Sequence, residues 1–229
     1  MSGMTDRERF RATMHFQKPD RLPFCEWFGY DYETILNWFK QGMPLSSLTY
    51  QRDSFAGGRW GSRPDLRPSF FGLDTIGDRS GEVFIIDAGP LPRYVSRVIS
   101  VTAEHKVFVS ADGTTLKVGL NTPVYTFPEV LDWPVKTLDD WTKLKSRFDP
   151  RDPRRYPIDW SDELIEYYKS VDHPIGLMIC GFFFLARQLM GTMNLLTSFY
   201  RNPELIHNIM DFWADFIIES NMEAVESLR

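Results

Sequence analysis

Two stretches of the chain carry residue types that can do chemistry. Glu26-Trp27-Phe28-Gly29-Tyr30 sets one carboxylate beside indole and phenol rings. At the end of a buried strand that carboxyl would lose its hydration, which disfavours the charged form, raises the pKa and suits a proton donor. The opposite reading is a glutamate pointing into water from an edge. Gly181-Phe182-Phe183-Phe184-Leu185-Ala186-Arg187 reads as a strand-to-helix turn. There the glycine permits close approach, the rings form an apolar wall, and the Arg187 guanidinium can meet a carboxylate or phosphate. Its alternative is rings packed in the core and an arginine tied to a neighbouring acid.

Familiar signatures are otherwise missing. The sequence has no Walker loop, no Gly-x-Ser-x-Gly elbow and no His-Glu-x-x-His, and Ala56-Gly-Gly-Arg-Trp-Gly61 lacks the lysine and helix that would cradle a phosphate. His15, His105, His173 and His207 stand far apart and away from the cysteines, so no metal ligand set is expected. Cys25 and Cys180 are too few for a disulfide framework and read as buried thiols.

The elements that must position these residues follow from caps and periodicity. Thr5-Asp-Arg-Glu8 is a capping box that opens a helix over about 5–15, and Lys18-Pro-Asp-Arg-Leu-Pro23 breaks helix twice before a buried strand from Phe24 to near Tyr30. Asp31 caps a second helix bearing Ile35, Leu36 and Phe39, which Gly42 and Pro44 end. Residues 52–82 read as irregular, glycine-rich chain. Between 83 and 127 short β-rich runs alternate with turns (83–86, 94–101, 106–110, 115–118 and 124–127), an antiparallel excursion. Thr137 and Asp140 start a helix to about Phe148, and an arginine-bearing loop leads to another over 161–170. His173–Cys180 reads as a fully buried parallel-sheet strand. Asn202-Pro203-Glu204 begins a long helix with Leu205, Ile209, Phe212, Trp213 and Phe216 on one face. Glu219, Glu223 and Glu226 line its second face, and with no glycine or proline to close it the chain is expected to continue past Arg229.

Composition sets the outer bounds. The 229 residues suit a single globular domain, 15% aromatic, with a formal charge of −5 that offers no basic field for nucleic acid. The longest apolar run, Ile175–Ala186, has 12 residues against the roughly 20 a membrane helix needs. No membrane partner is expected, and with no apolar N-terminal stretch the expected location is the cytoplasm.

Asp6-Arg-Glu-Arg with Lys18-Pro-Asp-Arg-Leu-Pro23 resembles the opening of the uroporphyrinogen decarboxylase family. The resemblance extends to Leu131-Asp-Trp-Pro-Val-Lys-Thr-Leu-Asp-Asp-Trp-Thr-Lys-Leu, to Gly181-Phe-Phe-Phe-Leu-Ala-Arg-Gln-Leu-Met-Gly191 and to Tyr200-Arg-Asn-Pro-Glu-Leu-Ile-His207. It implies an α/β fold, the N-terminal two-thirds of a (β/α)₈ TIM-type barrel, with the antiparallel excursion set into it. It places Glu26, Trp27, Tyr30, Gly181, Phe182, Phe183 and Arg187 at the mouth. Glu26 would be an acid or orienting carboxylate, the rings apolar walls, and Arg187 an anion clamp.

The family holds decarboxylases and corrinoid-linked methyltransferases. Decarboxylases carry an arginine-rich Met-Arg-Gln-Ala-Gly-Arg segment after the first strand, where this chain has Phe24-Cys-Glu-Trp-Phe-Gly-Tyr30. An anionic porphyrinogen would meet Glu26 there, so the methyltransferase-like branch is favoured and a genuine decarboxylase is the alternative. Zinc and a corrinoid belong, in that branch, to a part of the protein beyond these residues. The implied partners are a small-molecule substrate, a corrinoid protein and a second copy of the chain. A non-catalytic binding or assembly module is the reading from a different class.

Overall fold

The computed structural model describes residues 3–26, 30, 32–52, 62–77, 86–121, 127–177 and 179–229. Helix α1 (Asp6–Met14) opens on the expected capping box: Thr5 Oγ1 accepts from the Glu8 amide and the Glu8 carboxylate from the Thr5 amide. Its inward face is polar at one point. Arg9, 5% exposed, donates to Asp20, Asp6 and Asp74, and Arg21 donates to both oxygens of Asp74. A buried guanidinium is tolerable only with its donors used, and here three carboxylates and the Met4 carbonyl use them. The Lys18-Pro-Asp-Arg-Leu-Pro23 turn is therefore held by its own Asp20 and Arg21.

Helix α2 (Tyr32–Lys40) buries Ile35 and is followed by an antiparallel hairpin, β1 (Leu48–Arg52) with β2 (Ser62–Leu66). That pairing, and the 3₁₀ turn Pro68–Phe71, lie in chain expected to be irregular. Neither strand contains a glycine; each spans only five residues, too few for a clear period-2 signal, and Pro64 sits inside β2. Strands β3 (Arg97–Val101), β4 (His105–Val109), β5 (Thr115–Gly119) and β6 (Glu129–Asp132) form a consecutive antiparallel meander. The excursion is thus present within 97–132. Of the runs at 83–86 and 124–127 all but Ile86 and Phe127 lie outside the described residues, and β6 is a strand the sequence reading did not assign. All five residues of β3 are exposed, so this sheet buries little on that edge.

The main core belongs to helices. Trp141 and Leu144 of α3 (Leu138–Lys145), Leu185, Leu189 and Met190 of α5 (Phe182–Met190) and Leu195 of α6 (Thr192–Arg201) close on α7 (Pro203–Ser227). Helix α7 presents Leu205, Ile209, Trp213 and Phe216 inward, the expected stripe, with the Trp213 and Phe216 rings stacked 5.0 Å apart. Truncating one such side chain to alanine costs about 2–5 kcal/mol. Asn202 stands at the N-cap but makes no side-chain cap, while Pro203 and the first-turn carboxylate of Glu204 mark the start as expected. Helix α4 (Asp162–Ser170), capped by Ser161, packs Leu164 and Tyr168 with Ile86 and Ala224 in a second cluster.

Two strand expectations fail. Phe24, Cys25 and Glu26 are exposed and form no strand. Their segment is fixed instead by the Phe24 amide donating to Asp74 and its carbonyl accepting from the Asp74 amide. Among the described residues of His173–Cys180, where a continuous strand was expected, there is a single bridge, at Leu177. Apolar content alone does not make a ladder; Pro174 lacks a donor, and among the described residues every strand ladder is antiparallel. The chain is accordingly of mixed helix and strand.

Candidate functional site

The expected site residues fall into two surroundings. Glu26 is exposed, so the desolvated carboxyl that an embedded strand end would create is absent; Trp27 lies outside the described residues. The Tyr30 ring packs on Trp38 at 5.1 Å and on Phe71 at 5.6 Å, an aromatic group built by α2 and the 68–71 turn. Cys25 is exposed rather than buried, for the same reason as Glu26, although partial desolvation still pushes its thiol pKa up.

The second group sits at the start of α5. Gly181 is the N-cap, and a Cβ added there would meet nothing within 4 Å, so close approach is not what this glycine provides. Phe182 and Phe183 are 47% and 48% exposed. Arg187 is exposed, lies 4.9 Å over the Phe184 ring and has no carboxylate partner among the described residues. The neighbouring acid that the second alternative needs is absent among the described residues, and the cation rests on the Phe184 ring instead.

Beside that group lies a cleft that the sequence did not point to. Its apolar wall comes from Leu144, Phe148, Leu185, Leu189 and Trp213, and its polar atoms from Arg93, Asp112, Thr114 and Gln188. The cavity measures about 40 Å³. Cys180 borders it half-buried, its thiol held protonated by burial, and its carbonyl accepts from the Trp213 indole at 2.9 Å.

One wall of the cleft is the 87–94 loop, and its shape has a traceable cause. Arg155 is 1% exposed and donates through Nη1 to the carbonyls of Asp87 (2.7 Å) and Gly89 (3.0 Å), and through Nε to that of Asp149. Its guanidinium lies 4.6 Å over Phe216 of α7. Burial pulls the Arg155 pKa down, while the charges of Asp87, Asp152 and Asp149 oppose that shift. The arginine expected to belong to a linker is therefore a clamp. Leu91 donates to the Arg147 carbonyl and Tyr94 to that of Ala111, which ties the loop to the end of α3 and to the β4–β5 turn.

Within this loop Arg93 is bound through Nη2 to both oxygens of Asp87, each at 2.6 Å. A Cβ on Gly89 would stand 1.8 Å from Arg93 Nη1, so only glycine lets the guanidinium lie flat against the backbone. Arg93 Nη1 itself is buried and has no hydrogen-bond partner among the described residues. On the opposite side Asp112 accepts from Ser110 Oγ and from the Thr114 amide. Nothing in the spacing of Asp87, Arg93 and Asp112 announces this grouping, because the loop and hairpin that bring them together are irregular.

Among the described residues no group of three or more His, Cys, Asp and Glu side chains is placed to hold a metal ion. The exposed Cys25 and the half-buried Cys180 do not make a zinc ligand set. No helix among the described residues is long and apolar enough to cross a membrane. Comparison with protein-family models, with curated proteins and with solved structures returns no match.

Proposed function

We propose that this chain is the N-terminal part of a uroporphyrinogen decarboxylase-like (β/α)₈ barrel, with the four-stranded meander as an excursion from it. In this reading the protein is an enzyme acting on a small molecule, nearer to corrinoid-linked methyl transfer than to porphyrinogen decarboxylation. The observation that carries the choice of branch is the cleft. It is lined mostly by apolar side chains. A porphyrinogen is a ring of pyrroles fringed with carboxylates, and the one arginine among the cleft's lining residues is already paired with Asp87. Exposed Glu26 adds charge of the wrong sign for such a substrate.

Arg187, without a carboxylate partner among the described residues and flanked by exposed Phe182 and Phe183, would serve as the anion clamp beside an apolar wall. The test uses protein expressed from its full reading frame, incubated with methylcobalamin and a small thiol, and separately with uroporphyrinogen. Loss of the cobalt–methyl absorption, with the methyl appearing on the thiol sulfur and the thiol proton released, supports the reading. Arg187→Ala should slow that transfer by about tenfold or more, roughly 1.4 kcal/mol in the barrier. Decarboxylated porphyrin products, or turnover of neither compound, overturn it.

A further inference from the structure

We infer that the outer edge of β3 is a self-association surface, on which β3 pairs antiparallel with β3 of a second copy of this chain and joins the two meanders into one sheet. This association does not depend on the proposed activity. Strand β3 lies at one end of the order β3-β4-β5-β6, so among the described residues its outward backbone donors and acceptors meet no strand. Such an edge pairs readily with another strand unless charge, proline or a covering element blunts it. Here the side chains do the opposite. Val98, Ile99 and Val101 are β-branched and each more than half exposed, and Val95 just before them is largely exposed. The other edge, β6, is blunted. Glu129 and Asp132 stand on it, ion-paired with Lys117 and Lys136, and two such edges would set like charges together.

Charge identifies the neighbour. The single charged residue of β3 is Arg97, at its start, and Glu104 is exposed in the turn just past its end. Neither has an ion-pair partner among the described residues. The turn is fixed, since Thr102 Oγ1 accepts from the amides of Glu104 and His105. An antiparallel pairing about a two-fold axis near Ile99 sets Arg97 at the turn end of the other copy, toward the partner's Glu104, and repeats that contact across the axis. Ile99 then lies against the partner's Ile99. An unrelated strand would have to carry both charges in that order, whereas a second copy brings them by symmetry. The bulge at Ile99, which has no partner residue on β4, raises the local twist and keeps the new ladder short. So short a ladder buries far less than the about 800 Å² a side of a standard interface, and the dimer is reversible.

The experiment is sedimentation equilibrium on protein expressed from its full reading frame, with hydrogen exchange of the β3 amides followed over the same concentrations. A monomer–dimer equilibrium with Kd of about 10–300 μM is expected, the amides of Val98, Ile99, Ser100 and Val101 gaining protection as the dimer forms. Ile99→Lys, at an exposed site, should weaken association by about tenfold or more while the far-UV circular dichroism stays that of the parent. Arg97→Glu and Glu104→Arg should each weaken it by about fivefold or more, and the double variant should restore it, a rescue that a role in folding alone would not give. A monomer at every concentration up to about 500 μM overturns the inference. So does a dimer that Ile99→Lys leaves intact, or a double variant no better than the single ones. Protection of the β3 amides in dilute monomer would mean that another segment of the chain covers this edge, and overturns it as well.

Discussion

Arg155 shows how far one side chain can set its surroundings. It answers carbonyls from two separate stretches of loop and covers Phe216, all from a 1% exposed position. Replacing it with alanine would orphan those carbonyls, each at about 1–3 kcal/mol, and open a void beside Phe216. Arg155→Ala should therefore lose about 3–5 kcal/mol in urea denaturation, and Arg155→Lys should recover little, because an ammonium cannot span carbonyls set for a planar fork. A loss below about 1 kcal/mol for the alanine variant would show that the carbonyls find water instead. In contrast, exposed Arg187 should lower stability by no more than about 0.5 kcal/mol on removal, so an activity defect there is separable from folding.

At the level of elements, Gly181 and Gly191 bracket α5 and look alike in sequence, yet the structure gives them different duties. Gly191 has φ of +74° and a Cβ there would stand 2.5 Å from the Trp133 ring, while Gly181 faces open space. Gly191→Ala is expected to drop the melting temperature by several degrees, with Gly181→Ala nearly neutral; equal effects would contradict this account. Sequence patterns revealed the capped and amphipathic elements well. The boxes at Thr5 and Thr137, the stripe of α7 and the turns of the meander all depend on neighbours in the chain. They failed where long-range partners decide. Phe24–Glu26 and His173–Leu177 have apolar content suited to strands, yet among the described residues the first forms none and the second holds a single bridge at Leu177, and the β1–β2 hairpin needs a pairing that no local period announces. The expected site was legible only in part for the same reason: Arg187 sits on a helix with its own signal, whereas Arg93 and Asp112 meet through loops.

For the whole molecule, pH is the most direct probe of how the N-terminal third is fastened. Hydrogen bonding from Arg9 holds Asp20 well below the usual carboxylate range, although burial works the other way, and Thr137 does the same for Asp140. Asp152, bonded by Arg154, is lowered to about 2. Unfolded, these carboxyls take up protons near pH 4, so their contribution is complete above that value and fades as pH falls through the lower native values. The urea midpoint should hold from pH 7 to 5 and decline below about 4. Asp20→Asn should start lower at pH 7, and its deficit relative to the parent should shrink toward pH 2; a deficit that stays constant would mean the Asp20 charge is not what matters. The same interdependence reaches the far side of the protein through the Arg155 clamp. Because that single cation grips the loop carrying Arg93 while resting on the longest helix, warming cannot loosen the pocket wall first and leave the interior standing. The near-ultraviolet signal of the stacked indole and the far-ultraviolet signal of the helices should vanish together, in one step, along the same melting curve.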